Sequence, residues 1–263
     1  MSLIFVKYMN ASPLILPHKL RNVVRSLHHA SERNELKLFV AEGVRVCRDL
    51  QHSRMQIESV VVADNASDAT VKLAMELTGK SATLYEATPT DMAIMSDSTT
   101  PQDILAVVAF KEEQPLGSRV VVLDGVSDPG NVGSIIRSAA WFGFSDVLLG
   151  KGCADVYNTK VVRSAAGALF RMNVVRGLDV VSTLQSELAA YTTAAAVLVG
   201  GEPPESLHNA EQLCLVIGSE AHGVSERVLD ACTLRITIPG GNGTESLNAA
   251  IAASLLMYEA SRS

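Results

Sequence analysis

From Arg119 onward the sequence returns again and again to short strand-like runs dominated by apolar residues: Val120 to Leu123, Val147 to Leu149, Asn173 to Val175, Ala194 to Val199, Cys214 to Ile217 and Leu234 to Ile238. Segments long enough for helices separate them. A strand with one wet face alternates polar and apolar residues, whereas one buried on both faces reads as a continuous apolar run. Runs of the second kind between helices predict a parallel sheet covered on both sides. Such sheets take their ligands in the loops beyond the carboxyl ends of the strands, so chemistry is sought there.

A shorter α/β rhythm precedes this one. Lys37 to Val40, Ile57 to Val62, Ala82 to Tyr85 and Ile104 to Phe110 read as strands. Ala41-Glu42-Gly43 leads into a helical pattern through Val44, Cys47 and Leu50, and Ala66 to Leu77 and Asp91 to Met95 are further helical stretches. Lys111 to Ser118 is polar and carries both Pro and Gly, the composition of a connection. The expected division is therefore a small α/β domain over residues 1–110, a linker over 111–118 and a larger domain over 119–263.

Hydrophobic residues make up 48% and charged residues 19% of the 263, which fits ordinary globular domains. The longest apolar stretches, such as Leu247 to Tyr258, are too short to cross a bilayer, and the first residues lack signal-peptide features. A cytoplasmic protein without membrane association is expected. Cys47, Cys153, Cys214 and Cys232 are widely spaced and form no C-x-x-C pair, so reduced thiols and no metal are expected. The formal charge of −6 opposes a nucleic-acid partner, but residues 1–60 hold nine Lys/Arg against five Asp/Glu, so the basic excess sits at the N-terminal end.

Three segments beyond strand ends stand out. Asp124-Gly125-Val126-Ser127-Asp128-Pro129-Gly130-Asn131 leads into a helix expected over Val132 to Phe142 and stopped by Gly143. Pro129-Gly130 suits a tight turn and Asn131 a helix cap, while Val132, Ile135, Ile136, Ala139 and Phe142 form a buried stripe that leaves Arg137 outside. Taken singly, these residues also fit a plain capped crossover helix. In Leu215-Val216-Ile217-Gly218-Ser219-Glu220-Ala221-His222-Gly223 an apolar strand delivers two glycines around a Ser-Glu pair, where backbone could approach a planar ligand. Glu220 could instead serve only the dipole of a helix near Ser225, and His222 reads as a solvent-facing loop residue. The last segment, Ile236 to Asn248, holds Pro239-Gly240-Gly241-Asn242-Gly243 before an apolar helix. Thr244 or Ser246 would cap that helix, and an amide at Asn248 inside its first turn suggests a ligand or buried partner.

Together the segments resemble, in order and spacing, the motifs of the SpoU (TrmH) family of RNA ribose 2'-O-methyltransferases. N-x-G-x-x-x-R is matched by Asn131 to Arg137, G-S-E-x-x-G by Gly218 to Gly223, I-P-x-G by Ile238 to Gly241, and S-L-N by Ser246 to Asn248. Asn158 to Phe170 also looks like the family, and Phe39-Val40-Ala41-Glu42-Gly43 is similar to the opening of its small substrate-binding domain. Gly240 stands where members often have Met. The resemblance implies a C-terminal α/β domain tied into a deep trefoil knot, a homodimer to which Leu247 to Tyr258 contributes, S-adenosylmethionine as cofactor, and RNA as substrate, rRNA before tRNA.

It further implies Arg137, Asn131, Glu220, Ser246 and Asn248 as catalytic residues. Ile217, Gly218, Ser219, Gly223, Ile238, Pro239, Gly241, Ser246 and Leu247 would hold the cofactor, and Arg137, Lys160 and Arg163 the RNA. A guanidinium with a pKa above about 12 is a poor base at neutral pH. Arg137 is therefore expected to clamp a phosphate and stabilise the developing oxyanion, with the phosphate or a water accepting the proton. Ser246 and Asn248 would orient phosphate and ribose, and Asn131 and Glu220 would hold the loops. Two other classes stay open at this point. One is an RNA-binding protein without catalysis; the other, a nicotinamide-dependent oxidoreductase, is disfavoured by the missing G-x-G-x-x-G.

Overall fold

The computed structural model describes residues 13–79, 81–241 and 246–262. It separates into two compact units, Met1–Lys111 and Glu112–Ser263.

The first unit runs β1 (Leu14–Ile15), α1 (His18–Ser26), α2 (Ala30–Leu36), β2 (Leu38–Glu42), α3 (Val44–Gln51), β3 (Ile57–Ala63), α4 (Asp68–Thr78), β4 (Thr83–Ala87), α5 (Pro89–Met95) and β5 (Ile104–Ala109). Its sheet has the order β1-β4-β3-β5-β2, with β5 antiparallel to both neighbours and the other pairs parallel. Val40, Val61, Leu105 and Val107 pack against Val24 and Leu27 from the α1 region and Met92 and Met95 of α5. The alternate residues Phe39, Ala41, Val60 and Val62 are buried as well. Glu42, at the end of β2, is also buried, and one carboxylate oxygen accepts from Ser96 Oγ at 2.6 Å and the Gln102 N–H at 3.1 Å. The sequence reading assigned no element before Lys37, so it missed β1, α1 and α2. β1 spans two residues, and Pro17 and His29 begin the helices without a side-chain cap, so the usual start signals are absent.

The second unit contains β6 (Arg119–Asp124), α6 (Pro129–Trp141), β7 (Asp146–Gly150), α7 (Thr159–Ser164), β8 (Asn173–Leu178), α8 (Val180–Gln185), β9 (Thr192–Ala196), β10 (Leu213–Gly218), α9 (Glu226–Ala231), β11 (Leu234–Ile236) and α10 (Ala249–Ala260). Every strand pair in its sheet is parallel, as the apolar runs predict, in the order β11-β9-β10-β6-β7-β8. Val120, Val122, Cys214 and Val216 pack with Val180 and Leu184 of α8 and Val228 of α9. The intervening Val121, Leu123, Leu215 and Ile217 are equally buried. Removing a Val, Leu or Ile side chain from water contributes about 1.5–3 kcal/mol, and this double layer supplies it on both faces.

Asp146 is 1% exposed and fastens the start of the unit. Its carboxylate accepts from Asn173 Nδ2 at 2.6 Å, from the Gly117 N–H at 2.9 Å and from Ser145 Oγ. Asn173 also exchanges two hydrogen bonds with the Gln114 backbone, both 2.9 Å. Residues 112–118 are thus held on the second unit's sheet.

The chain runs outward from β6 through β7 to β8, then crosses back so that β10 lies against the other side of β6. The strand order reverses between β6 and β10, and a crevice opens at such a point beyond the carboxyl ends. Gly218 and Asp124, the last residues of the two strands, stand side by side there.

β9 ends at Ala196, short of the expected Val199. Val197 bonds to the Ile236 carbonyl at 2.8 Å, after which the chain turns over residues 235–237. Leu198 and Val199 are left 67% and 83% exposed.

Candidate active site

Asp128 caps α6, its Oδ1 accepting the Asn131 N–H at 2.8 Å, so the helix starts at Pro129 rather than Val132. This corrects the expected roles of Pro129-Gly130 as a turn and Asn131 as the cap. Proline's fixed φ suits the first helical position, where no N–H is needed. The Asp128 carboxyl is held below its ordinary pKa by the Asn131 N–H and by Lys160, whose Nζ lies 3.4 Å from Oδ2. Gly133 has no room for a side chain, because a Cβ would stand 2.0 Å from Ser164 Oγ and 2.7 Å from the Val161 carbonyl of α7. Arg137 is exposed, as the helical period predicts, and Gly143 takes φ +78° past the helix end. Phe142 is half-buried and packs edge-on against Tyr258 with ring centroids 5.9 Å apart.

The loop after β10 folds on itself. Ser219 and Gly223 exchange backbone hydrogen bonds of 3.1 and 2.9 Å, and Gly223 adopts φ +67°. A Cβ on Gly218 would fall 2.0 Å from the carbonyl carbon of Gly223 and the nitrogen of Val224. The close approach that requires glycine at 218 is therefore made by the chain's own backbone. Asp124 Oδ2 accepts the Ser225 N–H at 2.9 Å and ties this loop to the end of β6.

Asn248 is the N-cap of α10, with Oδ1 accepting from the N–H groups of Ala250 at 2.9 Å and Ile251 at 3.2 Å. It does not lie inside the first turn, and this corrects the sequence reading; Ser246 precedes the cap, and Thr244 lies outside the described residues.

The three segments meet at one side chain. Asn131 Nδ2 donates to Glu220 Oε1, and Asn131 Oδ1 accepts from Asn248 Nδ2 at 2.9 Å. Of the two roles left open for Glu220, the helix-start one does not fit, since α9 begins six residues later at Glu226. The orientation of the amide is fixed: its oxygen faces the Asn248 donor and its nitrogen the carboxylate, which uses both the acceptor and the donor that a carboxamide carries. Glu220 keeps its second oxygen, and Asn248 one N–H, for a further partner.

Arg137 is not hydrogen-bonded into this cluster. It lies six residues beyond Asn131 on α6 and makes no hydrogen bond or ion pair among the described residues. Ser246, Leu247, Pro239 and Gly241 are exposed, Ile238 is half-buried, and Ile217 is fully buried. Lys160 and Arg163 are exposed on α7, one helical turn apart, with Lys160 reaching Asp128.

Several residues escaped the sequence reading. Asp124 and Asp128 hold the loops, and the acid-before-proline pattern at 128–129 was the available signal for the second. Gly201 has its Cβ position occupied by the backbone of Arg235 and Ile236 at 2.8 Å, and its N–H donates to Thr237 Oγ1 at 2.9 Å. Nothing in sequence periodicity announces that contact.

The loops around these segments leave room and apolar surface for a flat apolar or aromatic ligand group. A Cβ at Gly240 or Gly241 would meet open space, and the exposed apolar Leu198, Val199 and Leu247 belong to the loops around β9, β11 and the start of α10. Among the described residues no cluster of three or more His, Cys, Asp or Glu could hold a metal ion. Nor, among the described residues, is any helix long and apolar enough to cross a membrane.

Comparison with known proteins gives two family matches, the SpoU rRNA Methylase family over residues 118–258 and the MRM3-like substrate binding domain over residues 21–106. The chain is 32% identical over 241 residues to the 23S rRNA (guanosine(2553)-2'-O)-methyltransferase RlmP of Bacillus subtilis, covering 89% of this chain and 92% of that protein. It superposes with a TM-score of 0.82 and 25% identity on the SpoU methyltransferase AviRb of Streptomyces viridochromogenes in complex with AdoMet, covering 94% of this chain and 98% of the other. An AdoMet-bound rRNA methyltransferase from Sinorhizobium meliloti shares the fold at 22% identity, with a TM-score of 0.82 and coverage of 96% and 98%.

Proposed function

Because this chain belongs to the SpoU rRNA methylase family, we propose that it transfers a methyl group from S-adenosylmethionine to a ribose 2'-hydroxyl of ribosomal RNA. The observation that carries this reading is the Asn131 amide joining Glu220 and Asn248, since it draws the three motif segments into one site at the strand-order reversal.

S-adenosylmethionine, when bound, supplies a methyl carbon on a positively charged sulfur, to be displaced in line by the ribose oxygen. Ile217, Gly218, Ser219, Gly223, Ile238, Pro239, Gly241, Ser246 and Leu247 hold it, largely through backbone. The protein's task is then alignment, which can supply several kcal/mol of rate by restricting motion. Asn131 and Glu220 fix the loops, and Asn248 and Ser246 orient the ribose and its phosphate. Arg137, Lys160 and Arg163 contact RNA phosphates. Arg137 is a permanent cation that clamps the neighbouring phosphate and stabilises the negative charge growing on the 2'-oxygen. The hydroxyl proton leaves to that phosphate or to a water.

We assign the first unit to RNA binding and the second to catalysis and dimerisation. The exposed Ile251, Leu255 and Tyr258, spaced along one face of α10, and Trp141, 83% exposed at the end of α6, support burial against a second copy. We further infer a deep trefoil knot in this unit, as the resemblance of its motif segments to the family implies.

The test is transfer of labelled methyl from S-adenosylmethionine to rRNA and tRNA transcripts, followed by nucleoside mass spectrometry. A 2'-O-methylnucleoside from rRNA is expected. A base-methylated product, or cofactor binding without transfer to any RNA, overturns the reading.

A further inference from the structure

The first acidic residue of the chain is Glu32, although the whole sequence holds 28 of them. Helix α1 lies in that acid-free stretch. Leu20 and Val24 turn toward the sheet, with Leu27 just past the helix end. His18, Asn22 and Arg25 follow at helical spacing on the opposite face, flanked by Lys19 and Ser26. Asn22, Arg25 and Ser26 continue with His29 into a shallow open groove.

The cations of this region divide by role. Arg21 is spent on Asp91 at 2.8 Å. Arg33 is 2% exposed and turns inward, donating to the carbonyls of Leu27 at 2.7 Å and His28 at 2.9 Å. Lys19 and Arg25 are exposed and make no ion pair or hydrogen bond among the described residues. Two unneutralised cations beside the exposed Asn22 amide, on a helix with no carboxylate, form a surface complementary to a row of phosphates.

We propose that this face of α1, centred on Lys19 and Arg25, is the surface on which the first unit receives the phosphate backbone of its RNA. The inference rests on the RNA methyltransferase reading above and adds where the RNA lies on the first unit. The contact is to phosphates and carries affinity rather than sequence choice.

The test uses the full chain and a large-subunit rRNA transcript. Binding is measured across a potassium chloride series for wild type, for Lys19→Ala/Arg25→Ala, and for Lys72→Ala, an exposed cation on α4. Loss of two phosphate contacts lowers the slope of log affinity against log salt by about 1.4–1.8. Affinity falls about tenfold and KM for RNA rises in step, while S-adenosylmethionine affinity and the melting temperature stay at wild-type values. Lys72→Ala behaves as wild type. A double variant that keeps the wild-type slope and KM overturns the inference, even when methylation proceeds normally. So does wild-type binding to polyglutamate as tight as to rRNA with the same loss in the variant, since the face would then suit any polyanion or an acidic protein. Absence of methyl transfer by wild type overturns the underlying reading instead.

Discussion

Arg137 carries the sharpest prediction at the scale of single residues. Arg137→Ala should lower the methylation rate about 10²–10³-fold with S-adenosylmethionine affinity intact, the size expected for loss of one charge-stabilising donor. Arg137→Lys separates clamp from base: a rate that climbs with pH through the lysine range would defeat the clamp, whereas a flat profile supports it. Glu220→Gln tests the bridge. An amide there can still accept from Asn131, so cofactor binding should persist while orientation of the substrate, read as kcat, suffers. Asp128 gives a prediction in acid. Its folded pKa lies below 3.8, lowered first by the Asn131 N–H and then by Lys160. The stabilisation is therefore complete above that value and is lost as pH falls through the lower folded one. Asn caps helices as well as Asp but does not titrate here. The stability difference between wild type and Asp128→Asn should accordingly shrink in acid unfolding curves taken below pH ~4.

Elements meet where side chains are smallest. Gly133→Ala forces α6 and α7 apart against Ser164 and the Val161 carbonyl. It should cost about 1–3 kcal/mol in chemical denaturation, as overpacking usually does. Asp146→Ala would strand the Gly117 N–H and one N–H of the Asn173 amide, each at about 1–3 kcal/mol. Much of this level was legible in sequence: the apolar runs gave the sheet its parallel character, and the helical period set Arg137 outward. Other parts were not. Gly218 signals close approach but does not say whether ligand or chain approaches, and here Gly223 and Val224 do. Asn248 is among the best capping residues; the apolar Leu247 before it disguised the helix start. Val197 to Val199 have strong strand propensity, but the pairing of β9 with β11 ends at the Val197 bond to Ile236, and the chain then turns so that Glu202 bonds to Arg235. Tertiary contacts of that kind leave no local trace.

At the scale of the whole molecule, the apolar face of α10 should make dimerisation and activity fail together. Ile251→Glu/Leu255→Glu is expected to sediment as a monomer and to lose methylation; a fully active monomer would disprove the assignment. The two units were visible in the sequence because polar residues 111–118 interrupt the apolar rhythm, but the anchoring of that stretch through Asp146 and Asn173 was not. The bridge at Asn131 spans 117 positions to Asn248. Synthesis proceeds from the amino end, so the first unit can emerge and fold long before that bond is possible. The cluster at Asn131 is thus completed only once Asn248 has been made, well after the first unit can fold.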